Sequence, residues 1–139
     1  MDLQVPPNAN GVLYALGGFA GGVSCYVKNG LLCYEFNLFE VQRTKITANR
    51  KLPSGNAKIE VESKLVDKIG GPMDITLRVN GEVVGRGRVP ITLTLLFGGT
   101  ETFDVGADMQ SPVSLDYFDK APFAYNGKIG KTTIVYLKK

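Results

Sequence analysis

No histidine occurs among the 139 residues. That removes Ser-His-Asp and Cys-His catalysis, His-ligated zinc, and the commonest general base near neutral pH. Tryptophan is absent and there are only two cysteines. No run of about 18 apolar residues occurs, which excludes a membrane-spanning helix. Excess charge is lacking too. Sixteen basic residues face thirteen acidic ones, scattered along the chain, so the net +3 does not mark a nucleic-acid binder. The opening Met1-Asp2-Leu3-Gln4 has neither the basic start nor the apolar run of a secretory signal, and compartment is left open. What is there is ordinary globular material. At 44% hydrophobic and 21% charged residues the chain is not disordered. Its length predicts one domain, 1–139, whose core buries roughly 68% of the unfolded surface without a metal or disulfide.

Period-two alternation dominates, while 17 glycines and 7 prolines interrupt any helical window. The pattern predicts short strands near 2–5, 11–17, 22–28, 31–37, 43–48, 57–65, 73–79, 82–89, 92–96, 102–105 and 128–137. Ile59, Val61 and Leu65 point inward on one of them, and Ile75, Leu77 and Val79 on another. Strands at this spacing, with a turn signal every 8–12 residues, predict an all-β antiparallel sandwich. Gly127 and Gly130 allow a bulge at the start of the last strand.

Asn29-Gly30 separates two alternating runs, the strongest short hairpin signal. A two-residue turn pairs Cys25 with Tyr34. One face then collects Val23, Cys25, Val27, Leu32, Tyr34 and Phe36. The other collects Ser24, Tyr26, Lys28, Leu31, Cys33 and Glu35. The cysteines fall on opposite faces and cannot bond to each other. A three-residue loop would oppose them but scatter the apolar set. A catalytic thiol lacks a histidine partner. A second Asn-Gly, Asn80-Gly81, leaves the register open: a three-residue loop pairs Arg78 with Glu82, a two-residue loop sets Glu82 beside Val79.

The irregular stretch from Gly98 to Asn126 carries Phe103, Tyr117, Phe118, Phe123 and Tyr125. A solvated loop has no use for five aromatics, so they are expected to cover one end of the sandwich or to dock on another domain. Tyr117, Phe118, Phe123 and Tyr125 are the interface or ligand candidates. Asp104, Asp108, Asp116 and Asp119 lie in the same stretch. They suit either a calcium site of loop oxygens or simple turn-making, since Asp bonds its own backbone; the spacing fits no EF-hand. A glycosidase pair among them has no fixed separation to support it. Gly17-Gly18-Phe19-Ala20-Gly21-Gly22 resembles a phosphate-cradling loop, but a strand follows it, so an inter-strand turn is the plainer reading. Arg86, Arg88, Lys128, Lys131, Lys138 and Lys139 form either a basic patch or a solvated sheet face. Tyr26, Tyr34, Tyr117 and Tyr125 could offer a glycan platform, or serve as core caps.

Several segments in order carry a resemblance. They are Gly11-Val12-Leu13-Tyr14-Ala15, Gly21-Gly22-Val23-Ser24-Cys25-Tyr26-Val27-Lys28-Asn29-Gly30, Tyr34-Glu35-Phe36-Asn37, Leu77-Arg78-Val79-Asn80-Gly81 and Gly85-Arg86-Gly87-Arg88-Val89-Pro90. Asp104-Val105-Gly106-Ala107-Asp108, Ser111-Pro112-Val113-Ser114, Asp116-Tyr117 and Asn126-Gly127-Lys128-Ile129 complete the set. This series resembles the C-terminal domain of bacterial arylsulfatases over about residues 5–137. The resemblance implies a sandwich of concanavalin-like or jelly-roll type, appended to a sulfatase catalytic domain that is its partner in the same chain. The parent enzyme is expected to use a calcium ion and a formylglycine. This domain is expected to hold no cofactor and no catalytic residue. The formylglycine motif, Cys/Ser-x-Pro/Ala-x-Arg, is missing around Cys25 and Cys33. Ala107, Met109 and Gln110 depart from the polar or glycine-containing turn the resemblance leads one to expect. Met1 then reads as the start of a piece of a longer chain, with the first strand shortened at Leu3-Gln4-Val5. The expected role is to pack on the catalytic domain and shape substrate access; the alternative is an independent carbohydrate-binding module. Neither reading involves nucleic acid or a membrane.

Overall fold

The computed structural model describes residues 1–92 and 102–136. Among these lie β1 (Asp2–Val5), β2 (Gly11–Gly18), β3 (Gly21–Lys28), β4 (Leu31–Leu38), β5 (Gln42–Lys51), β6 (Gly55–Leu65), β7 (Met73–Val79), β8 (Glu82–Val89), β9 (Phe103–Val105) and β10 (Lys128–Ile129). They make two five-stranded antiparallel sheets, in the orders β10-β1-β6-β7-β8 and β5-β4-β3-β2-β9, packed face to face. The architecture is the all-β sandwich the alternation predicts. The strand expected at 92–96 lies, apart from Thr92, outside the described residues.

Tight turns set the registers. Asn29 and Gly30 both take left-handed φ (52° and 81°), as a type I′ turn requires, and β3 pairs with β4 through Lys28↔Leu31, Cys25↔Tyr34 and Tyr26↔Cys33. Asn80-Gly81 makes the same turn, with Val79 opposite Glu82. The open choice is thus resolved as a two-residue loop. A register shift beside Arg78 then restores the inward parity of β8.

Between the sheets lie Cys25, Val27, Leu32, Tyr34 and Phe36 from the ribbon, facing Leu3, Val5, Ile59, Ile75, Leu77 and Val89. Full burial of each aliphatic side chain contributes on the order of 1.5–3 kcal/mol. At one edge β5 and β8 close together. A Cβ on Gly87 would stand 2.3 Å from Ile46 Cγ1, so only glycine lets β5 lean on β8 there.

The last strand is shorter than the sequence predicts. Only Lys128–Ile129 pair with β1, and residues 130–136 are exposed and outside any strand. The expected bulge is present. Asp2 is opposed by two residues: its carbonyl accepts from Gly130 N (2.8 Å) and its amide donates to the Lys131 carbonyl (3.0 Å). Beyond Lys131 no described strand remains for the tail to pair with, because β1 begins at Asp2.

Candidate functional site

The outer face of the β2–β5 sheet is covered over β2, β3 and β4, while on β5 Lys45 and Thr47 are exposed. The chain from Gly106 to Asn126 crosses it as a strap, which seals a second cluster of Val12, Ala15, Tyr26, Cys33, Val113 and Tyr117. The strap is anchored along β2: Gly106 N donates to the Leu13 carbonyl (2.9 Å) and Val12 N to the Phe123 carbonyl (2.8 Å). Its middle is a short 3₁₀ stretch, Leu115–Lys120, whose first turn Ser114 caps through Asp116 N.

Polar side chains pin it from below. Glu35, 2% exposed on β4, accepts from Arg43 (3.0 Å) and from Ser114 Oγ. Arg43 also donates to the Val113 carbonyl (2.6 Å), and its guanidinium lies 5.4 Å from the centre of the Phe19 ring. The Tyr26 hydroxyl donates to Asp116 (2.7 Å), which also pairs with Lys28 (2.9 Å) and Lys45 (2.7 Å). Partial burial by itself raises the Asp116 pKa. The bonds from Lys45, Tyr26 and Lys28 outweigh it and hold the carboxyl well below the usual range. The Tyr117 hydroxyl donates to buried Asp108 (2.6 Å) and stands 2.8 Å from Ser24 Oγ. Burial pushes the Tyr26 and Tyr117 phenols far up, so both stay protonated donors. Asp108 also accepts from Val113 N (2.9 Å). Asn37 reaches the Phe19 carbonyl (2.7 Å) and takes Glu40 N (2.9 Å), tying the β2–β3 and β4–β5 turns together.

The expected candidates part company here. Tyr117 is 1% exposed and stacks on Phe123 (5.3 Å between centres); it is a core residue of this chain, not an outward contact. Tyr125 is also buried, between the sheets, with its hydroxyl on the Gln4 carbonyl. Phe123 is half-buried at a left-handed φ of 47°. Phe118 alone of the four faces outward, 47% exposed and packed on Phe19 (5.2 Å). With Tyr26 and Tyr34 buried as well, none of the four tyrosines offers a ring face to a glycan.

The calcium reading needed the aspartates to converge, and they do not. Asp104 accepts from Thr102 Oγ1 and Met109 N, Asp108 from Tyr117 and Val113, Asp116 from lysines, and Asp119 is exposed. Among the described residues no three His, Cys, Asp or Glu side chains gather as a metal-holding group. Asp104, Asp108 and Asp116 each already satisfy the turn or strap around them. Gly17 to Gly22 is the β2–β3 hairpin turn, with Gly18 opposite Gly21. Arg86 and Arg88 lie on β8 and Lys128 on β10, at opposite edges of one sheet, so they make no common patch; Lys138 and Lys139 lie outside the described residues. Both thiols are free and buried, and burial raises both pKa values, which removes them as nucleophiles. Among the described residues no helix is long and apolar enough to cross a membrane.

The sequence places Ser24, Lys28 and Glu35 on one hairpin face and Ser114 in a motif, but assigns neither them nor Arg43 and Lys45 a role in holding the strap. The signal available was the outer row of β3–β4: Ser24, Tyr26 and Cys33 are too weakly polar for an exposed sheet face. No protein-family model, curated protein or solved structure matches the chain.

Proposed function

We propose that this chain is the non-catalytic accessory domain of an arylsulfatase, a sulfuric ester hydrolase, and that it packs against the catalytic domain and shapes access to its active site. One observation supports the reading. The later part of the residue series that carries the resemblance, from Gly106 to Asn126, forms the strap, and its polar members hold the strap down. Asp108, Ser114, Asp116 and Tyr117 all bond within this chain. Ser111 Oγ likewise accepts from Phe19 N (2.9 Å). A segment so used makes a rigid outer surface. Its outward apolar residues include Leu115, Phe118 and Met109, and apolar and aromatic side chains are enriched in the cores of contact surfaces. The calcium ion, the formylglycine and the hydrolytic step belong to the partner domain.

The natural reading frame is the first test. It should encode, upstream of these residues, a domain with the Cys/Ser-x-Pro/Ala-x-Arg motif. In that full-length enzyme Phe118→Ala should lower thermal stability or sulfatase activity. An unchanged enzyme, or a frame without a sulfatase domain, overturns the proposal. Binding of an oligosaccharide by the isolated chain would favour a carbohydrate module instead.

A further inference from the structure

Asparagine followed by glycine occurs four times, at Asn10-Gly11, Asn29-Gly30, Asn80-Gly81 and Asn126-Gly127. The pair has a chemistry of its own. The glycine nitrogen can attack the asparagine side-chain carbonyl, because no Cβ crowds the five-membered ring that forms. What the fold does to that nitrogen and to the side chain decides which pair reacts first.

Three of the pairs are locked together at one end of the sandwich. Asn126 Oδ1 accepts from Asn10 N (2.9 Å), and its Nδ2 donates to the Asn8 carbonyl (2.9 Å). Asn10 Oδ1 accepts from Asn29 N (2.8 Å), and its Nδ2 donates to the same Asn8 carbonyl (3.1 Å). The glycines are held as firmly. A Cβ on Gly11 would run into the Tyr125 backbone, and one on Gly127 into the Gln4 carbonyl. Gly30 N, the nitrogen that would attack Asn29, donates to the Ala9 carbonyl (3.0 Å), and the Gly30 carbonyl accepts from Leu52 N (2.8 Å).

Asn80-Gly81, at the β7–β8 turn, differs on each count. Gly81 is exposed, nothing lies within 4 Å of where its Cβ would stand, and its N–H meets no acceptor among the described residues. The ladder behind it ends at Val79↔Glu82 and shifts register beside Arg78, so only a short stretch of pairing restrains the tip. Ring closure swings Gly81 N toward Asn80 Cγ, and that swing meets open space. The electrophile is meanwhile held in place. Asn80 N donates to the Lys58 carbonyl (2.7 Å), and Lys58 N donates to Asn80 Oδ1 (2.8 Å). The second bond sets a main-chain donor on the oxygen that turns negative as the nitrogen adds.

We propose that Asn80 is a self-modification site, the first asparagine of the folded chain to lose its amide. Gly81 N gives up its proton and bonds to Asn80 Cγ. A proton returns to Nδ2, the Cγ–Nδ2 bond breaks, and ammonia leaves. Water then opens the cyclic imide. Cleavage at Cγ gives aspartate; cleavage at the main-chain carbonyl gives isoaspartate, in which the chain runs through Cβ and Cγ. The one new carboxylate takes the net charge from +3 to +2. Isoaspartate also adds a backbone carbon to a two-residue turn, which displaces Glu82 from Val79 and from Arg50. The chemistry needs no partner and no active site, so it stands whether or not the accessory-domain reading does.

The test is peptide mapping of the 139-residue chain after incubation at mildly alkaline pH, in buffer and in concentrated guanidinium chloride. Digestion at acid pH separates the four sites, and mass with elution order distinguishes asparagine, aspartate and isoaspartate. In denaturant the four pairs should convert at similar rates. In buffer Asn80 should stay within about threefold of its denatured rate, while Asn10, Asn29 and Asn126 should slow by about tenfold or more. Both products should appear at position 80, since direct hydrolysis of the amide would give aspartate alone. Gly81→Ala, read in denaturant where turn strain is absent, should slow conversion at position 80 only, which assigns the attack to the nitrogen of residue 81. A folded chain in which Asn29 converts before Asn80, in which Asn80 is slowed as much as the other three, or in which position 80 yields aspartate alone overturns the proposal.

Discussion

Between the sheets, β3 and β4 contribute Cys25, Val27, Leu32, Tyr34 and Phe36 and meet aliphatic side chains of the facing sheet. On the outer face the same two strands contribute Ser24, Tyr26, Cys33 and Glu35 and meet the strap. Both faces are buried, yet by different means. The inner face rests on apolar area, which is non-directional and forgives small shifts. The outer face rests on a few hydrogen bonds whose donors and acceptors must coincide. A buried polar set of that kind favours one placement of the strap over its neighbours, because a displaced strap breaks Ser114 from Glu35, Asp116 from Tyr26 and Tyr117 from Ser24 together.

The comparison can be broken at its extremes. Glu35→Ala should leave Arg43 and Ser114 without their shared acceptor and destabilise by about 3–5 kcal/mol. Leu77→Ala, between the sheets, should cost a similar amount, about 2–5 kcal/mol, through a cavity. Urea titration of double variants tells the two apart. Adding Ser114→Ala to Leu77→Ala should give the sum of the single effects. Adding it to Glu35→Ala should fall short of the sum by about 0.5 kcal/mol or more. Additivity in both pairs would mean that the outer network is not a unit.

A smaller change sharpens the contrast. Tyr117→Phe keeps the ring against Tyr26 and Phe123 but takes a donor from buried Asp108. It should cost about 1–3 kcal/mol and speed exchange of strap amides more than those of β6 and β7. Equal effects on both regions would assign Tyr117 to packing alone.

The smallest expected effect depends on pH. Asp116 is held below its ordinary value in the folded chain, so its ion pairs stabilise at pH values above the usual carboxylate range, about 4. That contribution fades as pH falls from there toward the depressed folded value. At pH 7 Asp116→Asn should lose about 1 kcal/mol. At pH 2 the parent and the variant should lie closer together in thermal midpoint. A gap that widens on acidification would contradict the clamp assigned to Lys28 and Lys45.

The sandwich was legible because its inner parity is clean. Ile75, Leu77 and Val79 alternate strictly, and Asn29-Gly30 dictates one register. The strap's position was less so. Its aromatics announced that they cover something, but one-dimensional periodicity does not say which surface lies beneath. Tyr117 and Phe118 are adjacent in sequence, and a kink at Tyr117 (φ −132°) separates a buried ring from an exposed one. Composition alone cannot rank them. Asp104, Asp108 and Asp116 looked like possible metal ligands for the same reason that they make good strap anchors: both tasks need short side chains with two acceptor oxygens. Thr132 to Tyr136 favour extended backbone, which predicts a strand, but propensity without a paired neighbour does not make one.

The two cysteines make the molecule its own timekeeper. Cys25 is shut between the sheets and Cys33 lies under the strap, back to back on one ribbon. A thiol reagent reaches Cys33 whenever the strap lifts, while Cys25 waits until the sheets part. The order and rates of their labelling report, without any added probe, how often this surface peels from a sandwich that is otherwise intact.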